Sequence, residues 1–327
     1  AKFSTLFALA VMFAGQSNQC FGKADETGGQ GAVLEDIAHF VIGTEFFRIE
    51  PYTLSHKEGV VAAALLSFTY FNTIQPPEFI GLQNYIDLFT TDSTFLRYVV
   101  PNTITYALFV GVGGYILSFF LAWSLSQLTH RVRTIMAVII YSPSLTGGIL
   151  IANIWKVIFD GSETGYLNYW LMELGVIAEP IKWLQSSDYL MVVMIIVALW
   201  SSMGVGFLSI LSGITNVDKE IYEAAYMDGV KNRFQEVFYV TIPSIKPQML
   251  FGAVMAIVNT FQTSGVGVAL SGSNPTPNYA GQLIGTHIED FGFIRNEMGY
   301  AAAVSVILLL FIKLMSSGAN KLFAEKD

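Results

Sequence analysis

Five long apolar runs organise the chain: Thr103 to Leu125, Ile135 to Phe159, Tyr189 to Leu211, Met249 to Leu270 and Met298 to Met315. Each approaches the roughly 20 residues that carry a helix across the hydrocarbon core. In lipid such a run must satisfy every backbone donor and acceptor internally, which a helix does. Pro143 and Gly147-Gly148 interrupt the second run and mark a bend or a close helix contact. The fourth holds Asn259, Gln262, Thr263 and Ser264 in otherwise apolar surroundings. The pattern is weaker upstream. Ile37 to Phe47 is apolar but contains Glu45, and Val60 to Phe71 reads as the end of a span whose start is broken by His56, Lys57 and Glu58. One span is expected within residues 37–71. Ser4 to Gly15 is short for a span and fits a signal-peptide core, a truncated helix or an extra anchor equally well. The polar, Gly-rich stretch Gly22 to Gly31 reads as a tether. The expected fold is an all-α, polytopic transmembrane helical bundle of six or seven spans.

Charge in the connecting segments gives the orientation. Segments 126–134 and 212–248 and the tail after 315 carry Arg131, Arg133, Lys219, Lys231, Arg233, Lys246, Lys321 and Lys326. The alternate segments, 72–102, 160–188 and 271–297, carry only Arg97, Lys182 and Arg295. Short positively charged loops stay in the cytoplasm, so the 212–248 loop and the C-terminus are expected there and the acidic 160–188 loop outside.

Composition agrees and narrows the function. Charged residues make up 13% of the chain, about half the roughly 25% of a soluble domain. No basic patch invites nucleic acid. Cys20 is the single cysteine, which excludes an internal disulfide framework. The five runs hold almost no ionisable side chains; Lys156 and Lys313 lie near ends. An ion-coupled carrier usually keeps a buried Asp, Glu or His for its proton or sodium, so the energy comes from elsewhere or the protein is passive. The chain shows no nucleotide site: its one Gly-Lys pair, Gly22-Lys23, is followed by Ala24 and lacks the P-loop spacing. His39, His56, His130 and His287 have no ligand spacing, and no G-x-S-x-G elbow occurs. Catalysis by this chain alone is not expected.

The loop 216–247 carries the most specific pattern. Asn216 or Asp218 can cap a helix, with Asp218 and Glu220 suited to its first turn. Glu223-Ala224-Ala225 continues that helix, and Gly229 stands where a left-handed stop would end it. A second short helix, Asn232 to Tyr239, follows, and Pro243 and Pro247 set the approach to the next span. On physics alone this is either a solvated helical hairpin or a docking element, since Ala224 and Ala225 let another protein come close to the backbone.

Glu223-Ala-Ala-(x3)-Gly229 with Val240-Thr-Ile-Pro243 resembles the EAA loop of binding-protein-dependent ABC importer permeases. Ten residues separate Gly229 from Val240 where the family usually has nine, and Ile242 stands for Leu. Leu66 to Asn72 with Phe79 to Tyr85, Asn102-Thr103, and Gly299 to Ser305 are similar to the sugar-type, maltose-permease-like branch. Residues 1–59 fit the family poorly. The resemblance implies that Glu223, Ala224, Ala225, Gly229 and Pro243 couple the chain to an ATPase dimer, which would hold ATP and Mg, with no cofactor on this chain. It further implies a second permease subunit of a different sequence, an extracytoplasmic solute-binding protein, membrane lipid around the chain, and a sugar, in particular an oligosaccharide, as cargo. Residues 1–36 are then the N-terminal segment and tether, 37–101 the first span with an external segment, 102–320 the permease core of a cytoplasmic (inner) membrane protein, and 321–327 a cytoplasmic tail. A non-sugar cargo, or an ATPase-independent facilitator or scaffold, remain the alternatives.

Polar and aromatic side chains inside spans are the candidates for the solute path, because they are costly against lipid. They are Asn153, Trp200, Asn259, Phe261, Gln262 and Thr263, with Ser142, Ser144, Thr146, Ser201, Ser202 and Ser264 beside them. Ser and Thr also serve ordinary helix packing. Asn259 and Gln262 are stronger candidates: they lie mid-span and three apart, on one helix face. Trp155 and Trp183, near span ends, are expected as interface anchors.

Overall fold

The computed structural model describes residues 56–323 apart from Gly147. The expectations for 4–15, 22–31, 37–55 and 324–327 lie outside the described residues. The chain divides into two compact units, one made of the residues up to Arg97 with Ile284–Lys313, the other of Tyr98–Leu283 with the C-terminal residues from Leu314.

The first unit begins with α1 (His56–Leu66), so the polar residues 56–58 start a helix instead of breaking one. A two-residue hairpin follows, β1 (Thr69–Tyr70) against β2 (Glu78–Phe79), antiparallel, with Thr69 opposite Phe79. It is a local addition to a chain that is otherwise built of helices among the described residues. The reversal is local chemistry: the Asn72 side-chain oxygen accepts from the backbone N–H of Ile74 (3.2 Å) and Gln75 (2.9 Å), and Thr73 takes a positive φ. Asn84, at the start of α2 (Gln83–Thr90), is buried and donates to the carbonyls of Ser67 (2.9 Å) and Thr69 (3.0 Å), fastening the hairpin. Hydrophobic periodicity registers none of this.

α3 (Phe95–Ser126) is the first of two helices long and apolar enough to span a membrane. It starts earlier than its apolar run because the π turn Phe95–Val99 precedes Pro101 and carries the helix past a residue with no N–H.

Three further expected spans are bent. α4 (His130–Leu145) and α5 (Gly148–Ile158) meet at 100°, at the position marked by Pro143 and the glycine pair. Between them lie no capping acids, only small residues. α6 (Tyr166–Glu173) sits in the next connection. α7 (Ser187–Ser201) and α8 (Val205–Thr215) meet at 43°. α9 (Lys219–Met227) and α10 (Arg233–Ser244) form the long loop, and α10 meets α11 (Lys246–Gln262) at 83°. The bend falls at Ile245, between the two prolines expected to set it. The fourth run therefore does not continue to Leu270. Thr263 leaves helical geometry, Gly265 has a φ of +66°, and a separate short helix α12 (Val266–Ser271) follows. Returning to the first unit, α13 (Ile284–Glu289) continues as a π turn, Asp290–Ile294, and α14 (Met298–Phe323) is the second long apolar helix. Two straight spans and three bent pairs give up to five crossings among the described residues.

The second unit is held by close backbone packing. α8 lies between α3 and α11. A Cβ on Gly206 of α8 would stand 3.2 Å from the Cα of Gly252 on α11, and a Cβ on Gly252 would stand 3.2 Å from Ile210 Cδ1. In lipid, where hydrophobicity does not drive helices together, such small-residue contacts supply the packing. A second cluster joins α5, α7 and α12 around Val193, Met194, Leu270 and Leu283. Trp155 and Trp183 pack against it: Trp155 stacks on Phe159 (5.6 Å) and meets Trp200 edge-on (5.5 Å), and Trp183 Nε1 donates to Asn168 (2.8 Å). Both are half-buried, with aromatic partners within the unit.

Candidate functional site

A partly open cavity of about 450 Å³ lies in the second unit, lined by α3, α4, α5, α7, α8, α11 and α12. Apolar walls come from Ile151, Val197, Phe207, Ile210 and Met255. Its polar groups are Tyr106, Tyr115 and Ser118 from α3, Tyr141 and Ser144 from α4, Ser201 and Ser202 from the end of α7, and Asn259, Thr260 and Thr263 from α11 and its end. The bend between α7 and α8 places Ser201, Ser202 and Gly204 on its wall, and the end of α11 delivers Thr263 one turn beyond Asn259. Among the described residues no charged side chain lines it.

Of the six expected path residues, the structure brings Asn259 and Thr263 to this cavity and leaves Asn153, Trp200, Phe261 and Gln262 out of its lining. Gln262 is the informative correction. Three residues on from Asn259 it is rotated off the cavity wall, whereas Thr263, four on, remains on it. Trp200 is engaged with Trp155, and Phe261 is buried. Ser144, Ser201 and Ser202 do line the cavity; Ser142 and Thr146 do not. Sequence reasoning missed Thr260 and the three tyrosines, which read as ordinary aromatic members of apolar runs.

The loop presents a different construction. Val230 N–H donates to the Ala225 carbonyl (3.0 Å) and Gly229 N–H to that of Tyr226 (3.2 Å), the paired bonds of a Schellman stop. Gly229 has a φ of +98°, and a Cβ there would meet nothing within 4 Å, so backbone conformation alone demands glycine. Asp218 occupies the N-cap without a side-chain bond. Asn232 caps α10 through Gln235 N–H (2.8 Å), while the Gln235 side chain accepts from Lys231 N–H (2.9 Å). The second helix runs to Ser244, further than the expected Tyr239, and Pro243 lies exposed in its last turn.

The two short helices are clasped by groups the sequence did not reveal. Glu236 is buried on α10. Its carboxylate accepts from the Tyr226 hydroxyl of α9 and pairs with Arg233 at 2.9 Å. That hydrogen bond to Glu236 is the main reason the Tyr226 phenol is pushed above its ordinary value. Tyr222, one turn earlier, has its hydroxyl 3.2 Å from Thr241 Oγ1. Tyr222 and Tyr226 thus turn toward α10, while Glu223 and Ala224 are exposed and Ala225 is half-buried. Around them stand bare apolar groups: Met227 (88% exposed), Phe234 (74%), Phe238 and Tyr239.

A third cluster lies in the first unit. Asp92 accepts from the Tyr300 hydroxyl (2.8 Å) and from Phe95 N–H (2.9 Å), and His287 Nε2 stands 3.0 Å from it. Burial alone would raise the Asp92 carboxyl. Hydrogen bonds from His287, Phe95 and Tyr300 outweigh it and hold the group at about 2. Phe95 and Phe291 pack on the imidazole (5.4 and 4.6 Å). No group of three or more His, Cys, Asp or Glu side chains placed to hold a metal occurs among the described residues.

The family model for "Binding-protein-dependent transport system inner membrane component" matches residues 114–324. The chain is 32% identical over 254 residues to the arabinooligosaccharides transport system permease protein AraP of Bacillus subtilis (strain 168), covering 77% of this chain and 79% of that protein. It is 29% identical over 279 residues to AraP of Halalkalibacterium halodurans, covering 82% and 86%. In fold it is similar to a chain of a bacterial ABC transporter involved in the import of the acidic polysaccharide alginate, with a TM-score of 0.68, 20% identity, and 89% and 93% of the two chains covered.

Proposed function

Since this chain belongs to the family of binding-protein-dependent transport system inner membrane components, we propose that it is the permease subunit of an ATP-driven importer for a sugar, in particular an oligosaccharide. Two relatives named for arabinooligosaccharide transport support the cargo class, and a cavity lined by hydroxyls, phenols and one free carboxamide suits it. The chain hydrolyses nothing itself. ATP and Mg bind to a dimer of separate ATPase subunits, a second, different permease completes the path, and an external binding protein delivers the solute; this chain carries no cofactor.

The observation that carries this reading is the loop. A stopped helix presents Glu223, Ala224, Ala225 and Gly229, with Pro243 at the far end of its partner helix, and exposes Met227, Phe234 and Phe238 around them. Exposed apolar groups of this density mark an interaction site. Closure of the ATPase dimer moves this hairpin, and the 83° bend at Ile245 passes the motion to α11, on which Asn259 meets the solute. Access then alternates between the two sides.

In this reading residues 102–320 form the permease core and residues 1–101 supply the further crossings that bring the total to six or seven. The eight-to-three division of Lys and Arg supports a cytoplasmic loop and C-terminus. The test is purification of the complex through this chain, with ATP hydrolysis measured as sugars and the binding protein are added. An ATPase subunit that co-purifies and is stimulated by a sugar supports the proposal. A chain that transports sugar without any ATPase is a facilitator, and the proposal fails.

A further inference from the structure

The connection between α5 and α7 folds into a helix with two unlike faces. The inner face of α6 carries Leu167, which packs against the cluster of α5, α7 and α12, and Asn168, which is fully buried. Asn168 Nδ2 donates to the carbonyls of Ser162 (3.1 Å) and Ile181 (3.0 Å). Its side-chain oxygen accepts from Ile181 N–H (3.2 Å) and Trp183 Nε1 (2.8 Å). One side chain thus ties α6 to both stretches that join it to its neighbours, the one leaving α5 and the one entering α7. Gly165, at the N-cap, permits the close turn, because a Cβ there would collide with the Asp160 carbonyl.

The outer face consists of Tyr166, Tyr169, Trp170 and Glu173, spaced as one side of a helix, and all four are exposed. Tyr166 is 64% exposed and Trp170 60%; the Trp170 ring meets that of Tyr169 edge-on at 6.1 Å. Leu174 and Val176 extend the bare apolar surface past the end of the helix. Among the described residues the two phenol hydroxyls and the indole N–H of this face have no hydrogen-bond partner.

The neighbouring helices indicate what covers it. Both are exposed along apolar stripes: Leu150, Ile154 and Val157 on α5, and Tyr189, Val192 and Ile196 on α7. In a chain that crosses a membrane such stripes meet acyl chains. Since α6 is fastened to the ends of these helices, its outer face stands where acyl chain gives way to headgroup. Rings with an apolar body and an unspent polar tip are enriched at that depth. Glu173 limits the depth, because a carboxylate stays in water.

We infer that α6 is an interfacial anchor, lying in the headgroup layer with Tyr166, Tyr169 and Trp170 among the lipids. The orientation given by Lys and Arg puts it in the external leaflet. It holds the ends of α5 and α7, which supply Ile151, Val197 and Ser201 to the cavity wall.

The test places a nitroxide label at Tyr166→Cys and at Trp170→Cys, with Glu163→Cys as the aqueous reference, each in a Cys20→Ser background. The whole complex is reconstituted in phosphatidylethanolamine bilayers with a minor share of phosphatidylglycerol. Relaxation of each label by oxygen, which concentrates in lipid, is compared with relaxation by a water-soluble nickel chelate. The labels at 166 and 170 are expected to favour oxygen at headgroup depth, relative to the label at 163, and to keep their mobility when the external binding protein is added. A second measurement keeps the native side chains: lipids carrying a nitroxide near the headgroup should quench the tryptophan fluorescence of the parent more than that of Trp170→Phe. Nickel-favoured labels at 166 and 170 would make the face a solvated one and overturn the inference. Labels shielded from both agents, or immobilised when the binding protein is added, would show that protein covers the face and overturn it too. Equal quenching of parent and Trp170→Phe likewise removes Trp170 from the lipid.

Discussion

The loop 216–247 and the cavity are built on opposite terms. The loop is exposed, and its shape comes from bonds made within about twenty residues: a Schellman stop at Gly229, an Asn cap at 232, and the Tyr226–Glu236–Arg233 clasp. The cavity is recessed among the helices, and its walls come from residues as far apart as Tyr106 and Thr263. Close glycine contacts between α8 and α11 set the spacing of two of its walls. The difference teaches where each region is vulnerable. The loop keeps its shape when the bundle is perturbed but loses its partner when its surface changes. The cavity keeps its chemistry only while the helices keep their spacing.

The largest expected effect comes from closing that spacing. Gly252→Leu puts a side chain where even a Cβ would be 3.2 Å from Ile210, and overpacking of this kind costs about 1–3 kcal/mol or more. The yield and thermal stability of the complex should fall while the isolated loop geometry is unaffected. Next, Ala225→Trp should weaken retention of the ATPase subunit by about tenfold or more, since the same overpacking cost falls on an interface. Its thermal stability without the partner should fall less than that of Gly252→Leu, because Ala225 is only half-buried and lies outside the spans. If Ala225→Trp destabilises the chain as Gly252→Leu does, the distinction between the two regions breaks.

Smaller still is Glu236→Gln, which keeps an acceptor for Tyr226 but removes the charge opposite Arg233. Arg233 is largely exposed, so the loss is about 1 kcal/mol. Solute moved per ATP hydrolysed should fall about fivefold, the factor that corresponds to that energy. Unchanged stoichiometry would show that the clasp does not position the loop. The remaining expectation concerns acid pH and Asp92, which lies outside both regions. Its carboxyl is held at about 2 against an ordinary 3.8, so its contribution is complete above the ordinary value and is lost as pH falls toward 2. The parent protein should lose melting temperature between about pH 4.5 and 2.5, and Asp92→Asn should lose less over that interval. Equal losses remove Asp92 as the cause.

The same contrast explains what could be read in advance. Gly229 and Asn232 act through neighbours a few positions away, so the sequence displays their roles directly. The bends near Pro143 and between Pro243 and Pro247 are likewise marked by local residues, although their angles are not. Gln262 was misplaced because helical spacing assigns a shared face only to within a fraction of a turn, and the cavity wall follows Asn259 to Thr263 instead. Tyr106, Thr260 and Glu236 escaped notice because their partners lie on other helices or beyond a turn. No periodicity within one run reports which residue of another will face it. His287 looked isolated for the same reason: Asp92 and Tyr300, which meet it, are distant in the chain.

The most direct test of the central claim, that one region carries the solute and the other the drive, is a paired measurement in proteoliposomes holding the whole complex. Sugar uptake, ATP hydrolysis and retained ATPase subunit are measured together for Asn259→Leu and Ala225→Trp. Asn259→Leu should lose uptake while keeping the ATPase subunit and its basal hydrolysis. Ala225→Trp should lose the subunit and with it both activities. Parental uptake in both variants would contradict the account.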